Sequence, residues 1–166
     1  MNTAIIYMSK HGTTEKVAQL IGDELKTDSI SLIDLRKNKS PNINNFDLVI
    51  IGGSIHAGFI QKRVKNFCIE NHQLLSNKMV ALFVCGMLFK EKTVELEKAF
   101  PPELSLHASE KAFLGGEFIF EKMNFLEKMI IKKVSKIEKS TSQIDKQTLN
   151  KFIKSINTEL AIAEKH

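Results

Sequence analysis

Cysteine is too scarce in this chain for disulfides to hold it together. Cys68 and Cys85 are the only two in 166 residues, and both lie in or beside apolar segments. A small secreted domain that relies on bridges carries a denser, even set. A reducing, cytoplasmic setting is therefore expected, and without a CxxC pair neither thiol reads as a redox group. Arginine is nearly missing as well: Arg36 and Arg63 are the only two among 24 basic residues. The net charge of +5 is thus lysine charge, which favours phosphates, carboxylate-bearing ligands or acidic lipid headgroups without choosing among them. Nucleic acid is not an expected partner, and no residue set reads as a metal site. No apolar run approaches the ~20 residues needed to cross a bilayer. The first such run, Ala4 to Met8, stops at Ser9-Lys10-His11-Gly12 and has no cleavage site of small residues behind it. Repeats and low-complexity tracts are lacking too.

What is present suits one domain over residues 1–166, because 43% hydrophobic content at this length can bury most of the unfolded surface. Thr3 to Tyr7 is a short apolar run that ends in a polar, glycine-containing turn, the pattern of a strand buried on both faces. From Thr13 the spacing changes, and Val17, Leu20, Ile21 and Leu25 mark an amphipathic helix. Ser29 to Leu35 reads as a second strand, and Asp47 to Ile51 as a third that runs into Gly52-Gly53-Ser54. A helix is expected over about 61–76, a fourth strand over Met79 to Val84, and a helix from Lys90 that stops before Pro101-Pro102. A fifth strand near Lys111 to Leu114 enters Gly115-Gly116, and helices over roughly 123–138 and 145–164 complete the chain. Such alternation predicts an α/β fold, a doubly wound five-stranded parallel sheet in the order 2-1-3-4-5. Ligands then bind outside the carboxyl ends of the strands, which directs attention to the loops after strands 1, 3 and 4.

The loop after strand 1 is Ser9-Lys10-His11-Gly12-Thr13-Thr14, and it leads straight into the first helix. Unpaired N–H groups at a helix start, three hydroxyls and a glycine that permits close approach make a compact phosphate cup. An ordinary capped helix start is the competing reading, since Thr13 or Thr14 would also serve as an N-cap. The loop matches neither the triphosphatase nor the dinucleotide glycine pattern. It does resemble the flavodoxin signature: Ile5-Ile6-Tyr7-x-Ser9-x-x-Gly12-x-Thr14-x-x-x-Ala18-x-x-Ile21 agrees at every defined position. The resemblance implies a flavodoxin-like fold with FMN held noncovalently, its phosphate on the loop of Ser9, Lys10, His11, Gly12, Thr13 and Thr14, in which His11 could donate to the phosphate or face water.

The same resemblance places the flavin ring between two further loops. The first contains Gly53, Ser54, Ile55 and His56, where paired glycines would leave room for a planar ring and an imidazole could shuttle a proton near neutral pH. The second is Cys85-Gly86-Met87-Leu88-Phe89, in which Phe89 could stack on the ring or belong to the core. Read together, Gly52 to Gly58, Gly115-Gly116 and the block Met123-Asn-Phe-Leu-Glu-Lys-Met-Ile-Ile-Lys-Lys133 are similar to the menaquinone-dependent protoporphyrinogen dehydrogenase family. That similarity implies an FMN oxidoreductase of porphyrin biosynthesis that passes electrons from a reduced tetrapyrrole to a quinone. A noncatalytic flavodoxin, exchanging electrons with a redox partner protein, is the alternative. Lys122 to Lys139 holds six lysines against Glu127 and Glu138, with Leu126, Ile130, Val134 and Ile137 at core spacing and Phe125 and Met129 angled toward the lysines. Such a helix is expected to lean on an anionic membrane as a peripheral contact, to meet the propionates of a porphyrin, or to present no more than a solvated lysine face.

Overall fold

The computed structural model describes residues 1–56, 58–87, 92–135 and 139–165, with the backbone alone at 134 and 135. Its centre is built from β1 (Asn2–Tyr7), β3 (Leu48–His56) and β5 (Met79–Cys85), the three runs richest in aliphatic residues. They pair in parallel, so Ile5 lies opposite Ile50, and Ile50 opposite Ala81. β2 (Ser29–Asp34) flanks β1, and β6 (Glu110–Phe113) flanks β5, which gives the parallel order β2-β1-β3-β5-β6. In the chain's own count of parallel strands this is 2-1-3-4-5, the order expected from the sequence.

Both faces of that sheet are covered, which is why its inner strands are apolar without alternation. Ile5, Ile50 and Phe83 point to one side, against Val17 and Ile21 of α1 (Thr13–Glu24) and Phe152 and Ile156 of α7 (Lys146–Ala163). Ile6, Ile51 and Leu82 point to the other, against Val64 and Phe67 of α2 (Lys62–Glu70) and Leu75 of α3 (His72–Leu75). The start of α7 is capped by Asp145, whose carboxylate accepts from the backbone N–H of Thr148 at 2.9 Å.

Four features depart from the sequence reading. The helix expected over 61–76 is broken at Asn71, whose side chain donates to the Phe67 carbonyl at 2.9 Å and competes with the helical ladder. At Pro101-Pro102 the chain stops and restarts: α4 (Lys92–Ala99) ends, and α5 (Pro102–His107) begins with proline at its first turn, where a missing N–H costs nothing. Short strands absent from the reading also form. β4 (Phe59–Ile60) folds back antiparallel on β3, and β7 (Glu117–Phe118) pairs with β8 (Thr141–Ser142). Two-residue strands have no periodicity to betray them.

The fourth departure concerns α6 (Phe125–Ser135), which belongs to the excursion between β7 and β8. The core seam expected on it is not buried: Leu126 is 63% and Ile130 60% exposed, alongside Phe125 at 77% and Met129 at 52%. The helix stands off the sheet, so helical spacing of its apolar residues marks no seam with the core. Ile137 and the side chain of Val134 lie outside the described residues, as do Leu88 and Phe89.

Candidate functional site

A cleft of about 400 Å³ opens at the carboxyl ends of β1, β3 and β5. Its floor is the loop between β1 and α1. Gly12 sits there with φ of 100°, a left-handed conformation that turns the chain into α1, and no side chain caps the helix. Thr13 and Thr14 lie inside the first turn and cap nothing, so the amides of that turn remain available to a ligand. Ser9 Oγ accepts the Gly12 N–H at 3.0 Å, which fixes the loop and leaves the hydroxyl hydrogen free to donate. Thr14 is buried, and its hydroxyl acts on the Cys85 thiol in the sense that lowers its pKa. Thr13 is buried as well, and its Oγ1 has no hydrogen-bond partner. Its hydroxyl helps to stabilise the nearby Glu117 carboxylate, but the geometry falls short of a hydrogen bond. An orphaned buried hydroxyl beside an uncapped helix start suits an anionic phosphate.

The cleft's second wall comes from the excursion carrying α6. Phe118, Met123, Ile130 and Ile131 line it, with Ile55 also on the cleft lining. Glu127 ties this wall to the phosphate loop: its carboxylate pairs with Lys10, and the imidazole of His11 approaches the same oxygen at 3.4 Å. Asn124 and Glu127 also cap α6 reciprocally, Glu127 accepting the Asn124 N–H at 3.0 Å and Asn124 accepting the Glu127 N–H at 2.9 Å. The Lys10 hydrogen bond, with the Asn124 amide, pulls the Glu127 carboxyl down to about 2. A second tie is Lys16 to Glu117 at 2.8 Å. Burial alone would raise Glu117, yet the hydrogen bonds from Lys16 and Ser142 outweigh it, and its pKa is lowered.

The sequence-predicted residues divide as follows. Ser9, Lys10, His11, Thr13, Thr14, Ser54, Ile55, His56, Cys85, Gly86 and Met87 all line the cleft. Gly12 shapes it through the backbone, where an added Cβ would sit 3.1 Å from Lys122 Nζ. Gly53 is not among the residues that line it, and the fold itself uses the space at the paired glycines: a Cβ at Gly53 would meet Gln61 Oε1 at 2.7 Å, and one at Gly52 would meet the Phe83 ring at 2.0 Å. Their smallness serves the fold. Phe89 lies outside the described residues. Burial pushes both the Cys85 and the Cys68 thiol up to about 12, so neither is a thiolate nucleophile. For His56, crowding at the cleft mouth lowers the pKa, repulsion from His11 and Lys10 lowers it further, and Glu127 acts in the opposite sense.

Sequence reasoning missed Gln61, Glu95, Glu117 and Glu127. Glu127 had a readable signal, since Asn124-Phe-Leu-Glu127 has the spacing of a reciprocal helix cap. The buried Glu95 on α4 had none, because one carboxylate on an amphipathic helix resembles any other.

The family profile described as flavodoxin domain matches residues 4–145. The chain is 22% identical over 158 residues to the protoporphyrinogen IX dehydrogenase (quinone) of Escherichia coli, covering 90% of this chain and 87% of that one. A flavodoxin, WrbA-like protein from Agrobacterium tumefaciens superposes with a TM-score of 0.51 at 14% identity, over 66% of this chain and 74% of that chain. Rubredoxin oxygen:oxidoreductase from the anaerobe Desulfovibrio gigas gives a TM-score of 0.53 at 16% identity, over 93% of this chain and 36% of that chain. At these identities the structural likenesses speak for the fold alone.

Proposed function

The chain belongs to the flavodoxin domain family and its cofactor is FMN, and on that premise we propose that it is an oxidoreductase that takes electrons from a reduced tetrapyrrole and delivers them to a quinone. The observation that carries this reading is the apolar wall of Phe118, Met123, Ile130 and Ile131 beside the phosphate loop. An electron carrier has to leave the flavin edge open to another protein. A wall of this kind instead encloses space for a flat, apolar small molecule. The similarity to the Escherichia coli dehydrogenase, which spans 90% of the chain, supports the same choice of substrate class.

When bound, FMN supplies the electron acceptor for substrate oxidation and the donor for the quinone. The chain's own residues hold and orient. Thr13 Oγ1, the Ser9 hydroxyl and the first-turn amides of α1 grip the phosphate, and Lys10 adds charge at the rim. His56, kept neutral by its surroundings, takes up the proton that substrate oxidation releases. The exposed face of α6 rests on an anionic membrane surface, where a quinone dissolves. The test is anaerobic: FMN-loaded protein is mixed with protoporphyrinogen and a menaquinone analogue, and porphyrin fluorescence is followed. Quinone-dependent porphyrin formation is expected. Its absence, with FMN bound, favours a carrier that exchanges electrons with a partner protein, and failure to bind FMN removes the premise.

A further inference from the structure

Gln61 lies outside the cleft, at the start of α2, yet it reaches the cleft mouth through two other residues. Its Oε1 accepts the backbone N–H of Ser54 at 2.8 Å, and its Nε2 donates to the Met8 carbonyl at 3.2 Å. A backbone N–H can only donate and a carbonyl can only accept, so these two partners decide which way the carboxamide faces. The second hydrogen on Nε2 is directed at Ser54 Oγ. Ser54 Oγ in turn stands 2.9 Å from His56 Nε2. The amide occupies one of the hydroxyl's two lone pairs, which favours the arrangement in which Ser54 gives its one hydrogen to the ring nitrogen rather than accepting a second bond from it. A ring nitrogen that accepts carries no proton.

We propose that Gln61 is a positioning residue for His56: acting through Ser54, it holds the neutral imidazole with its proton on Nδ1 and keeps Nε2 as the acceptor. Ser54 and His56 both line the cleft, whereas Gln61 does not. The arrangement makes a two-atom relay. When a substrate that carries an N–H near a C–H is oxidised, bound FMN would accept the C–H hydrogen as hydride; the N–H proton would pass to Ser54 Oγ as the hydroxyl's own hydrogen moves to His56 Nε2, and imidazolium would result. Gln61 cannot conduct a proton, but it fixes the direction in which the relay runs. Around the ring, Lys10 and His11 of the phosphate loop oppose the imidazolium and Glu127 of α6 favours it. The glycine at 53 belongs to the same device, because any Cβ there would strike Gln61 Oε1.

The relay rests on the function proposed above, but the tautomer does not, and the test separates them. In protein labelled with ¹⁵N and ¹³C at histidine, His56 is expected to give an unprotonated signal at Nε2 and a protonated one at Nδ1 at pH values above its pKa. Gln61→Glu removes the donor to Ser54 and supplies an acceptor, so Ser54 turns its hydrogen away and His56 should become protonated at Nε2. The His56 pKa should rise by about one unit or more beside the new carboxylate. Ser54→Ala should leave a mixture of tautomers. A wild-type ring already protonated at Nε2 overturns the proposal even if no variant folds, and so does an unchanged tautomer in a folded Gln61→Glu protein. If the tautomer switches while the pH profile of kcat/KM stays put, Gln61 still positions the ring, and it is the role of His56 in turnover that falls.

Discussion

Thr13 Oγ1 is buried in the first turn of α1 without a hydrogen-bond partner; a hydroxyl left so costs about 1–3 kcal/mol, of which its attraction to the nearby Glu117 carboxylate offsets a part. The ligand-free chain bears that cost, and a phosphate seated in the loop would relieve it. Thr13→Val should therefore act in opposite directions: the ligand-free protein gains about 1 kcal/mol in urea unfolding, while FMN binds about tenfold more weakly, or about 1.4 kcal/mol, in a flavin fluorescence titration. A loss in both would mean that the hydroxyl serves the fold. Gly52 illustrates the reverse situation, a glycine whose role is packing. Its missing Cβ is replaced by the Phe83 ring, 2.0 Å from where that atom would stand, so Gly52→Ala should cost about 1–3 kcal/mol through overpacking. Combined with Phe83→Leu, the loss should be less than the sum, and an additive pair of changes would show that the ring is not what the glycine accommodates. That Thr13 lines the cleft was legible from its place in the loop. The role of Gly52 was not, because a glycine before a loop looks the same whether a ring from the ligand or one from the core lies against it.

The excursion carrying α6 is joined to the phosphate loop by Glu127, and this coupling depends on charge. The Glu127 carboxyl lies at about 2, depressed from its ordinary value near 4.3. A carboxyl lowered on folding contributes its stabilisation above the unfolded value, and the contribution fades as pH falls through the folded one. The tie should hold above about pH 4.3 and weaken progressively toward pH 2. Protection of the α6 amides against hydrogen exchange, corrected for intrinsic rates, should fall across that window. Glu127→Gln keeps the reciprocal cap with Asn124 but loses the pairing with Lys10 and His11, so it should lower that protection at neutral pH as well. Protection unchanged by the substitution would mean that the helix is held by its apolar contacts alone. Sequence pattern located α6 to within a few residues and misjudged its surroundings. Leu126 and Ile130 recur at a spacing that buried and solvent-facing helices share, and only the placement of the whole excursion relative to the sheet separates the two.

At the scale of the whole molecule the sheet was the most legible part, because strands covered on both faces have to be continuously apolar, as Ala4 to Tyr7, Leu48 to Ile51 and Val80 to Val84 are. Three of the loops that line the cleft followed from that order, while the apolar wall did not, since it is assembled from residues 118 to 131 that meet the cleft only in three dimensions. The same excursion gives the molecule an asymmetric surface. Phe125, Leu126 and Met129 are all more than half exposed and lie on one side of a helix, next to Lys128, Lys132 and Lys133. Of the nearby carboxylates, Glu127 is paired with Lys10 and Glu121 accepts from Ser140 at 2.7 Å. Lysines beside an apolar face complement an anionic lipid surface, each contributing about 1 kcal/mol near it, and the apolar side chains add their burial below the headgroups. The protein should therefore sediment with vesicles containing phosphatidylglycerol, less so with neutral ones, and release as ionic strength shortens the screening length. Phe125→Ser with Met129→Ser should reduce vesicle binding at least tenfold and leave FMN affinity unchanged, because neither residue lines the cleft. Equal binding to neutral and anionic vesicles, or binding indifferent to the double substitution, would defeat the assignment. Concentration-dependent dimers in sedimentation, abolished by the same two changes, would give the face to a second copy of the chain.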